Sequence, residues 1–193
     1  CGSYVTHYFL ISRKLPSLTY LDSDLMFFSS PQVIFDELES KNASIGLSPH
    51  FTPYCASGKY CVQYCYFRND SDGLAALTWW KDECLKWCYS KIEDGKYADQ
   101  LYLSRMPDLF HGVVDISNRG AGIANWNAYQ YGFDDGYVVF ENRRYPFVFF
   151  HYSGFNIAMP DDILVIKECF EVSPDIYKCF VIPYVELLRD VFE

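Results

Sequence analysis

The sequence predicts an α/β fold, a mixed sheet flanked by helices, and three observations carry that prediction. Short apolar runs alternate with segments whose apolar side chains recur at intervals of three and four, the periods of strand and helix in turn. One run, Leu18-Thr19-Tyr20-Leu21, stops abruptly at Asp22-Ser23-Asp24, as a buried parallel strand does when its carboxyl end reaches a site. Half of the 193 residues are hydrophobic and 19% are aromatic, with Gly and Pro scattered, which supplies a real core and excludes a disordered or fibrous chain. One domain over residues 1–193 is the expected organisation.

Taken in order, residues 4–14 place apolar side chains at helical intervals and end in Arg13-Lys14, and Pro16 stops that helix. After the strand and its acids, Ser29-Ser30-Pro31 supplies an N-cap and a first-turn proline for a helix through Leu38. Strands are expected at 43–48 and 58–67. Leu74, Leu77, Trp80, Cys84, Trp87 and Cys88 then define a packed helix from Asp72-Gly73 to about Tyr89. A shorter helix starts at Tyr97 and is closed by Pro107. A strand at 113–116 precedes a Gly- and Asn-rich loop over 118–127. Residues 137–140 and 145–151 predict a hairpin about Glu141-Asn142-Arg143-Arg144, and a strand at 163–166 and a helix at 183–192 follow. The late elements add an antiparallel contribution.

Sixteen basic against 25 acidic residues give a net charge of −9, with no Lys/Arg stripe, which excludes nucleic acid as the partner. A divalent cation can still supply local positive charge for a phosphorylated ligand. No stretch reaches the roughly 18 apolar residues of a spanning helix and the start lacks a signal-peptide pattern, so a soluble, cytoplasmic chain is expected. Cys1 stands where an initiating Met would, predicting a start that has been trimmed. The eight cysteines lie mostly in apolar segments and read as buried thiols of a reducing compartment; a disulfide framework is the weaker alternative, and zinc weaker still, because Cys61-x3-Cys65 and Cys84-x3-Cys88 lack His at finger spacing.

Three groups of residues carry candidate chemistry. Asp22 and Asp24 are hard oxygen ligands suited to Mg²⁺ or Mn²⁺ and, through the ion, to a diphosphate; the bland alternative is a solvated acidic loop. His151 ends an apolar strand and Gly154 follows three residues later, offering a third metal ligand and a close backbone approach to phosphate, against a purely structural histidine. Asp99-Gln100, at the start of the short helix, can bind sugar hydroxyls or simply cap that helix. In the 118–127 loop, Asn125, Trp126 and Asn127 offer amides to hydroxyls and an indole face to a sugar ring, or an ordered loop with Trp126 as a plug. A phosphoryl-transfer alternative uses Asp22 as nucleophile with Asp134-Asp135 or Asp161-Asp162 as its later acids.

In order, Tyr-Leu-Asp-Ser-Asp-Leu-Met-Phe-Phe, Ile-Gly-Leu-Ser-Pro-His, Gly-Lys-Tyr-Cys-Val-Gln-Tyr-Cys-Tyr-Phe-Arg-Asn, a Trp-bearing helix, Tyr-Ala-Asp-Gln-Leu-Tyr-Leu, Ala-Asn-Trp-Asn and Phe-His-Tyr-Ser-Gly resemble glycosyltransferases of the GT-A fold. Within them the chain is most similar to the bacterial lipopolysaccharide galactosyltransferase and glycogenin-like branch, over residues 8 to about 156. The resemblance implies a GT-A-like sheet lacking its first strands, since only 21 residues precede Asp22 and the nucleoside is held upstream in that fold. It implies Asp22, Asp24 and His151 as ligands of Mn²⁺ or Mg²⁺, Asp99 and Gln100 at the donor sugar, and Gln63 and Gly154 at the donor. Gln63 stands where the family has Asn, and Asn156-Ile157 where it has Lys. The implied donor is a nucleotide diphosphate sugar, the acceptor a glycan or glycolipid hydroxyl that would bring the chain to a membrane surface, and the outcome retention. A sugar- or nucleotide-binding remnant without turnover is the non-enzyme alternative.

Overall fold

A computed structural model describes residues 2–53, 55–158, 162–165 and 174–192. In chain order it has α1 (Gly2–Ser12), β1 (Ser17–Leu21), β2 (Leu25–Phe27), α2 (Gln32–Ser40), β3 (Ile45–Pro49), β4 (Tyr60–Arg68) and α3 (Ser71–Lys86). A 3-10 turn, Leu101–Arg105, leads into α4 (Met106–Leu109), then β5 (Val113–Asp115), β6 (Ala121–Ala124), β7 (Gly132–Asp134), β8 (Tyr137–Phe140), β9 (Arg143–Pro146) and β10 (Phe149–His151). Last come β11 (Phe155–Ala158), β12 (Asp162–Val165), α5 (Pro174–Ile176), a π-helical turn Tyr177–Val181 and α6 (Ile182–Phe192). The architecture is mixed α/β. The chain divides into two compact units, Cys1–Ser23 with Pro31–Ser117, and Asp24–Ser30 with Asn118–Glu193.

In the first unit the sheet runs β1-β4-β3-β5. β4 is antiparallel to β1 and β3, while β3 and β5 are parallel, so β1, β3 and β5 point their carboxyl ends to one edge. β1 is thus an edge strand with an antiparallel neighbour, not the buried parallel strand its abrupt apolar run predicted. Its Leu21 is 42% exposed, because an edge strand has a neighbour on one side only. Helix α3 lays Ala76, Leu77, Trp80 and Cys84 into a core with Ile45, Leu47, Cys65 and Phe67, the face its periodicity predicted.

Asp70 starts α3: its Oδ1 accepts the Gly73 N–H at 2.8 Å and its Oδ2 accepts Arg68 Nε and Ser44 Oγ. A Cβ on Gly73 would sit 2.1 Å from the Arg68 carbonyl oxygen, so only glycine lets the helix start this close to β4. Burial alone would raise the Asp70 carboxyl, but the bonds from Gly73, Arg68 and Ser44 outweigh it and hold the carboxyl below its usual range. A depressed folded-state value stabilises the fold above the unfolded carboxylate range, and that stability is lost as pH falls through the folded value. Asp70→Ala is therefore expected to cost about 1–2 kcal/mol at neutral pH, with the gap to wild type narrowing in acid; denaturant melts at neutral and acidic pH check it, and a gap independent of pH would contradict it.

Helix α3 ends at Lys86 rather than near Tyr89, because Trp87 turns extended (φ −156°) and its carbonyl accepts the Tyr102 hydroxyl at 2.8 Å. The helix expected from Tyr97 forms later, and Pro107 sits in the first turn of α4 instead of closing a helix, the position where its missing N–H costs nothing. Pro31 is the N-cap residue of α2, and the Ser29 hydroxyl donates to the Phe147 carbonyl instead of to the helix.

The second unit holds a three-stranded sheet β2-β10-β6, a meander β7-β8-β9 and the pair β11-β12. The predicted hairpin is shorter than expected. β8 turns through Glu141 and Asn142, both at positive φ (48° and 60°), into β9, and the chain then moves to a different sheet at β10. The 118–127 segment is not all loop, since β6 lies inside it, parallel to β10. Gly120 makes that pairing fit: its carbonyl accepts Val148 N–H at 2.8 Å, and a Cβ there would lie 1.8 Å from the Pro146 carbonyl oxygen. Phe180 is the hub of this unit's core, stacked on Phe150 with centroids 4.5 Å apart and edge-on to Phe28, Phe133 and Phe147.

The predicted 163–166 strand appears as β12, with residue 166 outside the described residues, as are Asp161 and Cys169. Cys55, Cys61, Cys65, Cys84, Cys88 and Cys179 are free thiols, with 61, 65 and 84 buried. No helix of the described residues is long and apolar enough to cross a membrane.

Candidate functional site

In the second unit β10 is the central strand, and its carboxyl end gathers the site. His151, its last residue, pairs with Leu25 of antiparallel β2 and with Ala124 of parallel β6. Asp24 immediately precedes Leu25, so the first residue before one strand meets the last residue of its neighbour. The ring Nε2 of His151 lies 3.0 Å from Asp24 Oδ1, and the Tyr152 N–H donates to the Asp24 carbonyl at 2.8 Å, extending the ladder by one step. The pair is asymmetric: the His151 side chain is 6% exposed and that of Asp24 43%. The imidazole is thus enclosed by the unit while the carboxylate stays partly exposed.

Beside the pair stands Trp126, its ring edge-on to His151 with centroids 5.3 Å apart and planes at 87°. The flanking amides take other parts. Asn127 is fully buried, its Oδ1 accepting Ala124 N–H at 2.9 Å and its Nδ2 donating to the Gly122 carbonyl at 2.9 Å, so it staples the turn that follows β6. Asn125 is buried too, and its Nδ2 donates to the Ser153 carbonyl at 3.2 Å. Of the three residues expected to face an acceptor, Trp126 is therefore the one brought to His151, and the two amides hold backbone. Gly154 adopts φ +79° in the turn that follows, the conformation glycine takes without strain.

In the first unit Asp22 follows β1, its N–H donating to the Gln63 carbonyl at 3.2 Å and its Oδ1 accepting the Tyr20 hydroxyl at 2.8 Å. Tyr20 and Asp22 sit two apart along an extended segment and so share a face. Burial, and then the charge and hydrogen bond of Asp22, push the Tyr20 phenol far above its ordinary range, so it stays a donor at any working pH. Asp99 is raised as well, by burial first and, against a bond from its own backbone, by the negative charge of Asp22. A carboxylate raised this way by a charged neighbour favours a proton, a cation or hydroxyl donors beside it.

Gln100 and Gln63 are placed as braces. Gln100 Oε1 accepts Val62 N–H and its Nε2 donates to the Ser57 carbonyl, both at 3.3 Å. Gln63, fully buried, donates from Nε2 to Ser48 Oγ at 2.8 Å. The Asp99 carbonyl accepts Trp80 Nε1 at 2.8 Å, which ties that loop to α3. Asp134, one of the acids a phosphoryl-transfer chemistry would use, is paired with Arg144 at 3.0 Å on the meander.

Sequence reasoning missed Tyr20, Trp80, Tyr152 and Tyr184 as contributors. The two-residue spacing of Tyr20 and Asp22 is a signal that could have found the first. Trp80 was read as core, which it is, and nothing in the sequence links α6 to Asp24.

These features define a mixed α/β protein with an imidazole–carboxylate pair at the carboxyl edge of a short sheet. No protein-family model matches the chain. It is similar to two proteins of Bacillus subtilis (strain 168), each described as uncharacterized: YfnF, 34% identical over 169 residues that make up 80% of this chain and 55% of YfnF, and YfnD, 30% identical over 149 residues, 72% of this chain and 47% of YfnD. The chain spans about half the length of these curated relatives.

Proposed function

We propose that the chain carries part of the catalytic machinery of a cytoplasmic GT-A-type glycosyltransferase, moving a hexose from a nucleotide diphosphate sugar, a UDP-sugar by preference, to a glycan or lipopolysaccharide-type acceptor hydroxyl. The observation that carries the reading is the Asp24–His151 pair, 3.0 Å apart at a strand end with the carboxylate partly exposed. Its donor set fits Mn²⁺ or Mg²⁺: a hard carboxylate oxygen and an imidazole nitrogen, the latter better matched to Mn²⁺. A bound cation would neutralise charge on the leaving diphosphate.

The protein's own residues supply the rest. Tyr20 holds the Asp22 carboxylate in one orientation through its hydroxyl. Asp99, close enough to Asp22 to feel its charge, steadies the sugar through a carboxylate oxygen as positive character grows at its reacting carbon. Gln100 acts by bracing β4 and the Ser57 loop rather than by touching the sugar. Trp126 offers an indole beside His151 to an acceptor ring.

A thermal-shift screen of UDP-hexoses with and without Mn²⁺ tests the reading, since only ligands that prefer the folded state raise its melting temperature. At a ligand concentration about a hundredfold above Kd the gain is about 2.7 kcal/mol, and it is expected only when cation and nucleotide sugar are present together. An equal shift with nucleotide sugar alone would remove the metal from the proposal.

A further inference from the structure

The glycosyltransferase reading does not use the tyrosine pair that sits directly behind the Asp24–His151 edge. Tyr152 follows His151 in the chain, and its N–H is the group that holds the Asp24 carbonyl at 2.8 Å. Its hydroxyl donates to the Phe180 carbonyl at 2.9 Å and lies 3.8 Å from Met26 Sδ on β2. Its ring, 1% exposed, stacks on Tyr184 of α6 with centroids 3.9 Å apart and planes at 20°.

Tyr152 therefore links two things: its main-chain N–H holds the backbone of Asp24, and its side chain meets the helical run at Phe180 and Tyr184. A stacked aromatic pair of this kind is worth about 0.5–1.5 kcal/mol beyond its buried area, enough to bias the orientation of a single peptide unit. Phe180, whose carbonyl anchors the Tyr152 hydroxyl, is itself locked into the unit's core by Phe150. Tyr184 is half-buried, and both burial and the nearby charge of Asp24 push its phenol up, in keeping with its place close behind the carboxylate.

We propose that Tyr152 and Tyr184 form a positioning clamp through which α6 holds Asp24 and His151 in register. The clamp acts on the main chain: Tyr184 fixes the Tyr152 ring, the ring and its hydroxyl fix the Tyr152 peptide, and that peptide's N–H fixes Asp24 against His151. Neither tyrosine is a catalytic residue. As a statement about cation affinity the proposal rests on the metal reading of this edge; as a statement about the geometry of the pair it does not.

Native-state hydrogen exchange and Mn²⁺ titration followed by electron paramagnetic resonance, on the full chain, test it with Tyr184→Leu and Tyr184→Phe. The Val148 amide, bonded to the Gly120 carbonyl in the same unit, is the internal reference that separates a local release from a general loss of stability. Tyr184→Leu is expected to speed exchange at the Tyr152 amide relative to Val148 by about tenfold and to weaken Mn²⁺ binding by about tenfold, the size of effect seen when a residue orienting a metal ligand is lost. Tyr184→Phe, which keeps the stacked ring, is expected to restore both. An unchanged exchange ratio in Tyr184→Leu overturns the clamp, and so does a Phe variant as defective as the Leu variant. If the unaltered chain takes up no Mn²⁺ while the Tyr152 amide still responds to Leu and recovers with Phe, the clamp stands and the glycosyltransferase reading falls.

Discussion

Asp24→Asn and His151→Ala are each expected to lower Mn²⁺-dependent release of UDP from a UDP-hexose by about a thousandfold, equivalent to about 4 kcal/mol of transition-state stabilisation. The two substitutions reach that result by different routes. Asp24→Asn keeps the shape of the side chain and its contact with His151 but removes the negative charge an ion needs. Since that side chain is 43% exposed, folding stability is expected to change by no more than about 0.5 kcal/mol. His151→Ala removes the imidazole from a buried place, so both the ligand and the orientation of Asp24 go. Turnover measured on the folded chain, with circular dichroism confirming the fold, decides the matter: wild-type rates in both variants would leave the metal site without a role.

The largest expected effect on stability is that of Trp80→Ala, about 3–5 kcal/mol. Trp80 is fully buried in the first unit, stacked on Phe67 with centroids 5.8 Å apart and edge-on to Tyr20 at 6.2 Å. Its indole N–H also holds the Asp99 carbonyl at 2.8 Å. Truncation would leave a large void and an unpartnered carbonyl, two separate costs. Trp80→Phe separates them, keeping most of the ring volume while deleting the hydrogen bond, and is expected to lose about 1–2 kcal/mol. Denaturant unfolding of both variants measures the difference; a Phe variant as unstable as the Ala variant would mean that the bond to Asp99, not the packing, dominates.

Much of the first unit was legible because its elements are long and periodic. Helix α3 shows the point: Leu74, Leu77, Trp80 and Cys84, at intervals of three and four, marked its face, and Asp72-Gly73 placed its start to within a residue. Strands β3 and β4 were readable as apolar runs bounded by polar turns. The misreadings fall where short segments depend on partners far away in sequence. Strand β6, Ala-Gly-Ile-Ala, has no strand signature of its own and exists because β10 offers a parallel ladder and Gly120 lets the backbones meet. Strand β2 has three residues, and β7 another three, too few for any period to register. The hairpin was placed correctly in the chain but given a second arm too long, since nothing local says that β10 leaves β9 for another sheet.

For the site the division is similar. Asp22, Asp24 and His151 were conspicuous as acids and an imidazole placed just after apolar runs, and chemistry picks out such residue types whatever the fold. Which amides face a ligand was not legible: Asn125, Asn127, Gln63 and Gln100 have the same side-chain chemistry whether they bind a sugar or a backbone, and the folded structure gives each a bond to protein.

By itself the sequence determined the mixed α/β class and the helical and strand character of the long elements, and it singled out the acids and the imidazole on which the cation proposal rests, because periodicity and functional groups are properties of the chain. Only the tertiary structure decided that Asp24 opens a strand beside His151, that the amides serve as braces, and that Tyr152 links the pair to α6. Those facts depend on strand pairing and ring stacking between residues far apart in the chain, Tyr152 and Met26 being 126 positions apart, and no local pattern encodes which distant partner a strand end or an aromatic face will meet.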